Sequence, residues 1–154
     1  MIKYILVFFL MPMLLGRFMD VESVWYKSLI QSPLTPPGYV FGIVWPILYF
    51  CMAIYAYYLF SQKGLKYRKI FFIFQFILNL LWNPVFSLLH MIALAAILIL
   101  LMIVSLTFII FAPYFERGPK KQYSVVNKAT LLLIPYYIWL MFAFYLSYYM
   151  VINN

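Results

Sequence analysis

The chain has 154 residues, 68% of them hydrophobic and 9% charged, and a formal net charge of +8. With a mean hydropathy of +1.01, it has too few charged groups to cover a soluble domain. Only an exterior that faces lipid makes such a composition stable, so the chain reads as an all-α, multi-pass membrane protein with one domain, residues 1–154.

A helix needs roughly 20 apolar residues to cross the hydrocarbon core. Residues 1–19 are the first such segment. Lys3 ahead of an apolar run imitates a secretory leader, but no clean small-residue cleavage site follows, and the segment is read as a span. Residues 20–38 are the least lipid-like part of the chain, with Asp20, Glu22, Trp25, Tyr26 and a stiff collar of Pro33, Pro36, Pro37 and Gly38. A second span is predicted over 39–60. Residues 70–112 contain no Lys, Arg, Asp or Glu, a run too long for one crossing. It divides at 83–90, where Pro84 removes a backbone donor, into spans over 69–89 and 91–112. The fifth span is 128–151.

The basic residues agree with a bundle of five transmembrane helices. Five crossings put Lys3, Lys63, Lys66, Arg68, Lys69, Arg117, Lys120, Lys121 and Lys128 on one side, and Arg17 and Lys27 on the other. The positive-inside rule then predicts a cytoplasmic N-terminus and an outer C-terminus in a bacterial-type cell membrane. The net charge needs no nucleic-acid partner, because topology and anionic membrane lipid account for it.

One His, one Cys and three acidic residues supply no metal site, no intramembrane proton relay and no Ser/His/Asp triad. Function is left to shape, aromatic surface and neutral polar groups. In the third span Gln75, Asn79, Trp82 and Phe86 recur at spacings of four, three and four, so they share a face. Two amides facing lipid would be costly, so that face is expected to point inward. It either serves a ligand or bonds to neighbouring helices. In the fifth span Trp139, Ala143 and Ser147 stack at spacings of four. The small pair permits close helix packing or leaves room for a flat ligand. Trp45 lies well inside the second span. The four tryptophans form either an interfacial belt or, for the deeper ones, a shared pocket beneath the outer connection. Gly38 and Gly42 have small-residue spacing, and Pro46 and Pro135 are expected to bend their helices.

Four blocks, WYKSL at 25–29, TPPGYVFGIVWPILY at 35–49, QFILNLLWNPVF at 75–86 and LLLIPYYIWLMFAFYLSYYMVINN at 131–154, together resemble the TspO/MBR family of tryptophan-rich sensory proteins. That family includes the mitochondrial translocator protein, or peripheral benzodiazepine receptor. The resemblance implies a five-helix bundle, commonly a homodimer, with the loop between the first and second helices acting as a lid. It implies a membrane receptor or sensor, or a transporter, that binds porphyrins (protoporphyrin IX, heme) or isoquinoline-type ligands. The ligand-binding residues it implies are Tyr26, Pro36, Trp45, Asn79, Phe86, Trp139, Ala143 and Ser147, and Trp82 joins them from the shared face. No cofactor is obligatory and no metal is expected. The alternatives are a light-dependent porphyrin-degrading enzyme using Trp45 and Trp139, and a structural assembly subunit. The chain departs from the family pattern at Leu34, where a lid aromatic is usual, at Leu98, where the fourth helix is usually acidic, and at Ser87. No basic residue follows Tyr148 and Tyr149, so no sterol motif of that type is predicted. Propionate groups are expected to reach Arg17 or Lys27.

Overall fold

The computed structural model describes residues 1–16, 23–115 and 123–154. Helix α1 covers Ile2–Leu15, and a short α2 covers Val24–Ser28. Four long helices follow: α3 (Gly38–Ser61), α4 (Lys66–Leu88), α5 (Ile92–Phe115) and α6 (Ser124–Asn153). These four are long and apolar enough to cross a membrane, while α1 is shorter, about 21 Å at 1.5 Å per residue. Residues 17–19 of the predicted first span, together with Arg17, Asp20, Glu22, Arg117, Lys120 and Lys121, lie outside the described residues.

Local chemistry sets the boundaries. Ser23 caps α2, its hydroxyl accepting from the Tyr26 N–H at 3.2 Å, as short polar side chains do at helix starts. Gly64 and Leu65 both adopt positive φ and turn the chain into α4 one turn earlier than the predicted 69. Arg68 therefore sits inside the helix and not on a loop. It is buried at 1% exposure, and its Nη1 donates to Asn127 Oδ1 at 2.9 Å. Pro84 does not end its helix. The backbone widens into a π turn over Pro84–Leu88, where the Leu89 N–H reaches the Pro84 carbonyl. The chain then breaks at His90, whose φ is +56°. A matching π turn, Leu6–Leu10, precedes Pro12 in α1. Such widened turns absorb the hydrogen bond that a proline removes. Pro135 falls in the first turn of its α-helical stretch, after a tight 3-10 turn over Thr130–Leu133. Its missing N–H is harmless there.

The core is apolar and rich in aromatic rings. Met52, Tyr55 and Leu59 of α3, Phe72 of α4, Met102 and Leu106 of α5, and Leu133, Tyr136 and Leu140 of α6 are all buried. Leu98 joins this core. The outward stripe of α5, with Ile97, Leu100, Val104, Phe108 and Phe111, is exposed and apolar, as a lipid-facing surface must be.

Helix α1 runs antiparallel to α3. The Tyr4 ring lies 6.0 Å from Phe60, and the Leu15 carbonyl accepts from Asn83 Nδ2 at 2.9 Å. At the end of the bundle where α6 stops, α2 and residues 29–37 fold over the helix ends. The Asn154 side chain holds the loop backbone twice. Its Oδ1 accepts from the Ile30 N–H at 2.9 Å, and its Nδ2 donates to the Ile30 carbonyl at 3.2 Å. Ser32 Oγ meets the Tyr145 hydroxyl at 3.1 Å. Among the described residues, Lys3, Lys63, Lys66, Arg68, Lys69 and Lys128 gather at the opposite end, against Lys27 at the loop end. Replacing Asn154 with Ala removes both backbone bonds, each worth about 1 kcal/mol. Amide exchange at Ile30 is then expected to accelerate roughly tenfold while the helices keep their protection. Unchanged exchange would mean that the loop is held elsewhere.

Candidate functional site

Three helices each present residues at three- or four-residue spacing to one place. From α3 come Phe41 and Trp45, and from α4 Asn79, Trp82 and Phe86, with α6 adding Trp139, Ala143 and Ser147. A cavity of about 40 Å³ lies among them, also lined by Tyr26 of α2 and Met102 of α5. Eight of the nine residues singled out from the sequence line it: Tyr26, Trp45, Asn79, Trp82, Phe86, Trp139, Ala143 and Ser147. The ninth, Pro36, lines an adjoining cleft of about 300 Å³ together with Tyr26, Lys27, Gln31, Thr35 and Gly38. Gln75 shares the inward face of α4 and is fully buried, but it lies off the cavity, with Nε2 3.7 Å from Met52 Sδ.

The walls are aromatic faces in close order. Trp82 stacks on Phe86 at 5.2 Å and 7°, and Trp139 meets Phe41 edge-on at 5.8 Å. Trp45 stacks on Tyr49 at 5.2 Å and lies 6.3 Å from Tyr136. Above them, Trp25 stacks on His90 at 3.9 Å and touches Phe86 at 5.3 Å. This fixes α2 so that Tyr26 points down, 6.1 Å from Phe86. Burial pushes the Tyr26 phenol above its ordinary pKa, so it faces the cavity neutral and able to donate.

The polar groups are few. Asn79 Nδ2 donates to the Tyr136 hydroxyl at 3.0 Å, which in turn contacts Met102 Sδ at 3.5 Å. The Asn79 Oδ1 and the indole N–H groups of Trp82 and Trp139 are buried without a well-formed hydrogen bond, although the Tyr49 phenol stands close to the Asn79 amide. Buried polar atoms are satisfied in the great majority of cases. Two donors and an acceptor left over around one cavity are therefore a signature of a site that completes its bonding with something else.

A second cleft, about 330 Å³, opens beside the cavity between α1 and α3. Gly38, Gly42 and Pro46 form the stripe of α3 next to the aromatic one, and they face Pro12, Met13 and Gly16 of α1. A Cβ added at Gly16 or Gly42 would meet nothing within 4 Å, so the missing side chains are what make this space. Trp45, Asn79 and Trp82 separate the cleft from the cavity. Phe41 lines the cavity and both clefts. Sequence reasoning missed it, although it lies one helical turn before Trp45. Among the described residues no group of three or more His, Cys, Asp or Glu is placed to hold a metal ion.

Residues 4–152 match the model of the TspO/MBR family. The chain belongs to that family. It is similar to the tryptophan-rich protein TspO of Bacillus cereus, at 29% identity over 133 residues that cover 83% of this chain and 79% of the relative. The tryptophan-rich protein TspO of Archaeoglobus fulgidus is 30% identical over 146 residues, covering 86% and 83%. The tryptophan-rich sensory protein of Cereibacter sphaeroides is 29% identical over 117 residues, covering 75% and 67%. As a TspO/MBR member with four long apolar helices, the chain is a multi-pass membrane protein.

Proposed function

We propose that this TspO/MBR protein is a membrane receptor or sensor that binds a porphyrin, or another flat apolar molecule of isoquinoline type, between α3, α4 and α6. The observation that carries this reading is the meeting of Trp45, Trp82, Phe86 and Trp139 around one cavity with unpartnered polar atoms in its wall. Aromatic faces give a planar ring a large contact area, and a few convergent polar groups fix its orientation. Pockets for drug-sized ligands run to roughly 300–1,000 Å³, so the 40 Å³ cavity is a closed state. Trp45 and Phe41 have to swing aside and merge it with the neighbouring clefts.

The same reading makes α1 a crossing too, the first of five, supported by its antiparallel run from Tyr4 beside Phe60 to Leu15 beside Asn83. It makes α2 with residues 29–37 the lid. The end rich in lysine is placed in the cytoplasm, and the working unit is a homodimer, as in the family. Titrating protoporphyrin into the purified protein, with tryptophan fluorescence as readout, is expected to give saturable quenching. Trp45→Ala is expected to weaken it at least tenfold, the scale of a buried aromatic anchor. Wild-type protein that shows no saturable quenching would remove the reading.

A second reading is light-dependent porphyrin breakdown, and one observation favours it. Trp45 and Trp139 both line the cavity, and Trp45 touches two phenols, Tyr49 and Tyr136. An indole that gives an electron to an excited ring therefore has reductants beside it.

A further inference from the structure

The end of the bundle away from the loop carries a cleft of about 600 Å³ between the start of α4 and the last turns of α5. Toward the middle of the bundle it stops where Phe71 of α4 stacks on Phe108 of α5 at 4.7 Å and 8°. One turn further along α5 stands Ala112, whose small side chain leaves the space unfilled. Phe115 continues the α5 wall, and Tyr123, just ahead of α6, forms another. The turn that starts α4 fits closely against that ring. A Cβ on Gly64 would lie 3.0 Å from the Tyr123 hydroxyl, and Gly64 has a φ of +81°. Phe108 and Phe115 are exposed at 55% and 77%, so the cleft opens on the lipid-facing side of α5. Lys66 and Tyr67, both exposed, form its polar rim. The neighbouring cations are engaged, Lys69 with the Gln62 carbonyl and Arg68 with Asn127. Among the described residues Lys66 makes no hydrogen bond or ion pair.

The charge at this end is one-sided. Residues 61–69 and 113–128 hold eight basic side chains and one acid, Glu116. A cleft with an apolar floor, a cationic rim and an opening toward lipid matches a molecule built of the same two parts. We propose that it binds an anionic phospholipid. The phosphate meets Lys66 and the phenols of Tyr67 and Tyr123, while an acyl chain lies along Ala112 toward the Phe71–Phe108 pair. Basic pockets between helices at a cytoplasmic face hold anionic headgroups in this way. A soluble anion would leave the aromatic floor uncovered, at a cost that scales with the apolar area. A zwitterionic lipid would bring its own cation up to Lys66. The cleft already has the volume of a ligand site, which runs to roughly 300–1,000 Å³. The inference does not depend on the aromatic cavity, which lies toward the other end of the bundle.

The test titrates phosphatidylglycerol and phosphatidylcholine of equal chain length into the full-length protein in detergent, and native mass spectrometry counts the bound lipid. Wild type is expected to hold phosphatidylglycerol about fivefold more tightly, the scale of one basic residue facing an anionic lipid. Lys66→Met keeps the apolar stem and is expected to remove that preference. Lys63→Met changes an exposed lysine off the cleft and is expected to keep it. Ala112→Phe fills the cleft and is expected to abolish the tight adduct without lowering the unfolding midpoint. If that variant unfolds, the two lysine variants decide the matter. Equal retention of the two lipids by wild type overturns the site. Equal losses in Lys66→Met and Lys63→Met also overturn it, since general surface charge would then suffice. A preference that survives in a folded Ala112→Phe protein places the lipid elsewhere and has the same consequence. Displacement of the lipid by millimolar inorganic phosphate would make this a soluble-anion site, and a dimer lost on Ala112→Phe would make it a protein interface. Either result removes the phospholipid.

Discussion

Replacing Ala143 with Phe is expected to lower porphyrin affinity roughly a hundredfold or more, because a clash built into a pocket rejects a ligand outright. Ala143 lies between Trp139 and Ser147 on the wall of the cavity. The free space there is about 40 Å³, less than a phenyl ring requires, so the new side chain takes the position that a ligand ring would use. The stability cost is bounded, since overpacking of this kind costs about 1–3 kcal/mol and the cavity absorbs part of the added volume. Titration by tryptophan quenching reads the affinity, and thermal unfolding in detergent reads the stability. Ala143→Gly is the control, since it enlarges the space and is expected to bind within a few-fold of wild type. An Ala143→Phe protein that keeps wild-type affinity would mean that the ligand does not enter between α4 and α6. The small pair Ala143 and Ser147 would then serve only close helix packing.

What the sequence made legible follows from two periodicities and one scarcity. Charges are so rare that the uncharged run 70–112 marked two crossings. The three- and four-residue spacing of Asn79, Trp82 and Phe86, and the four-residue spacing of Trp139, Ala143 and Ser147, placed each set on one face. The structure brings those faces together. Local spacing cannot report how the backbone accommodates a proline. Pro84 was expected to distort the third span, and α4 meets it by widening into a π turn and continuing to Leu88. The predicted break between 89 and 91 falls at His90, which adopts positive φ. Arg68 looked like a loop charge, because the strained Gly64–Leu65 turn that starts α4 early is invisible in a list of residue types. The cleft beside Gly16 and Gly42 comes from absent side chains on two helices far apart in sequence. Only the pairing of α1 with α3 gives it meaning. Phe41 was the one accessible miss, since the turn that places Trp45 in the wall places Phe41 there too.

Light is expected to separate the two tryptophans from the rest of the wall. With Trp45 and Trp139 both changed to Phe, loss of bound porphyrin under illumination should stop, while binding in the dark stays within about tenfold of wild type. Phenyl rings keep most of the apolar contact area. What the change removes is the indole as an electron donor, together with the unpartnered Trp139 N–H, a hydrogen bond worth about 1 kcal/mol if the ligand uses it. In the proposed chemistry the excited ring takes one electron from an indole, and dioxygen consumes the reduced ring. Degassed samples are accordingly expected to show no loss. The neighbours of Trp45 give a second handle. Tyr49 stacks on it at 5.2 Å, and Tyr136, held by Asn79 at 3.0 Å, lies 6.3 Å away. Either phenol can return an electron to the oxidised indole and release its own proton. A Tyr49→Phe, Tyr136→Phe variant should therefore start breakdown normally and then stall, with oxidised Trp45 accumulating in the mass spectrum. Absorbance of the bound pigment, followed in light and darkness, reads the first result. Unchanged loss in the Trp45→Phe, Trp139→Phe protein would show that the indoles are walls and not reactants, which leaves the receptor reading as the sole use of the cavity.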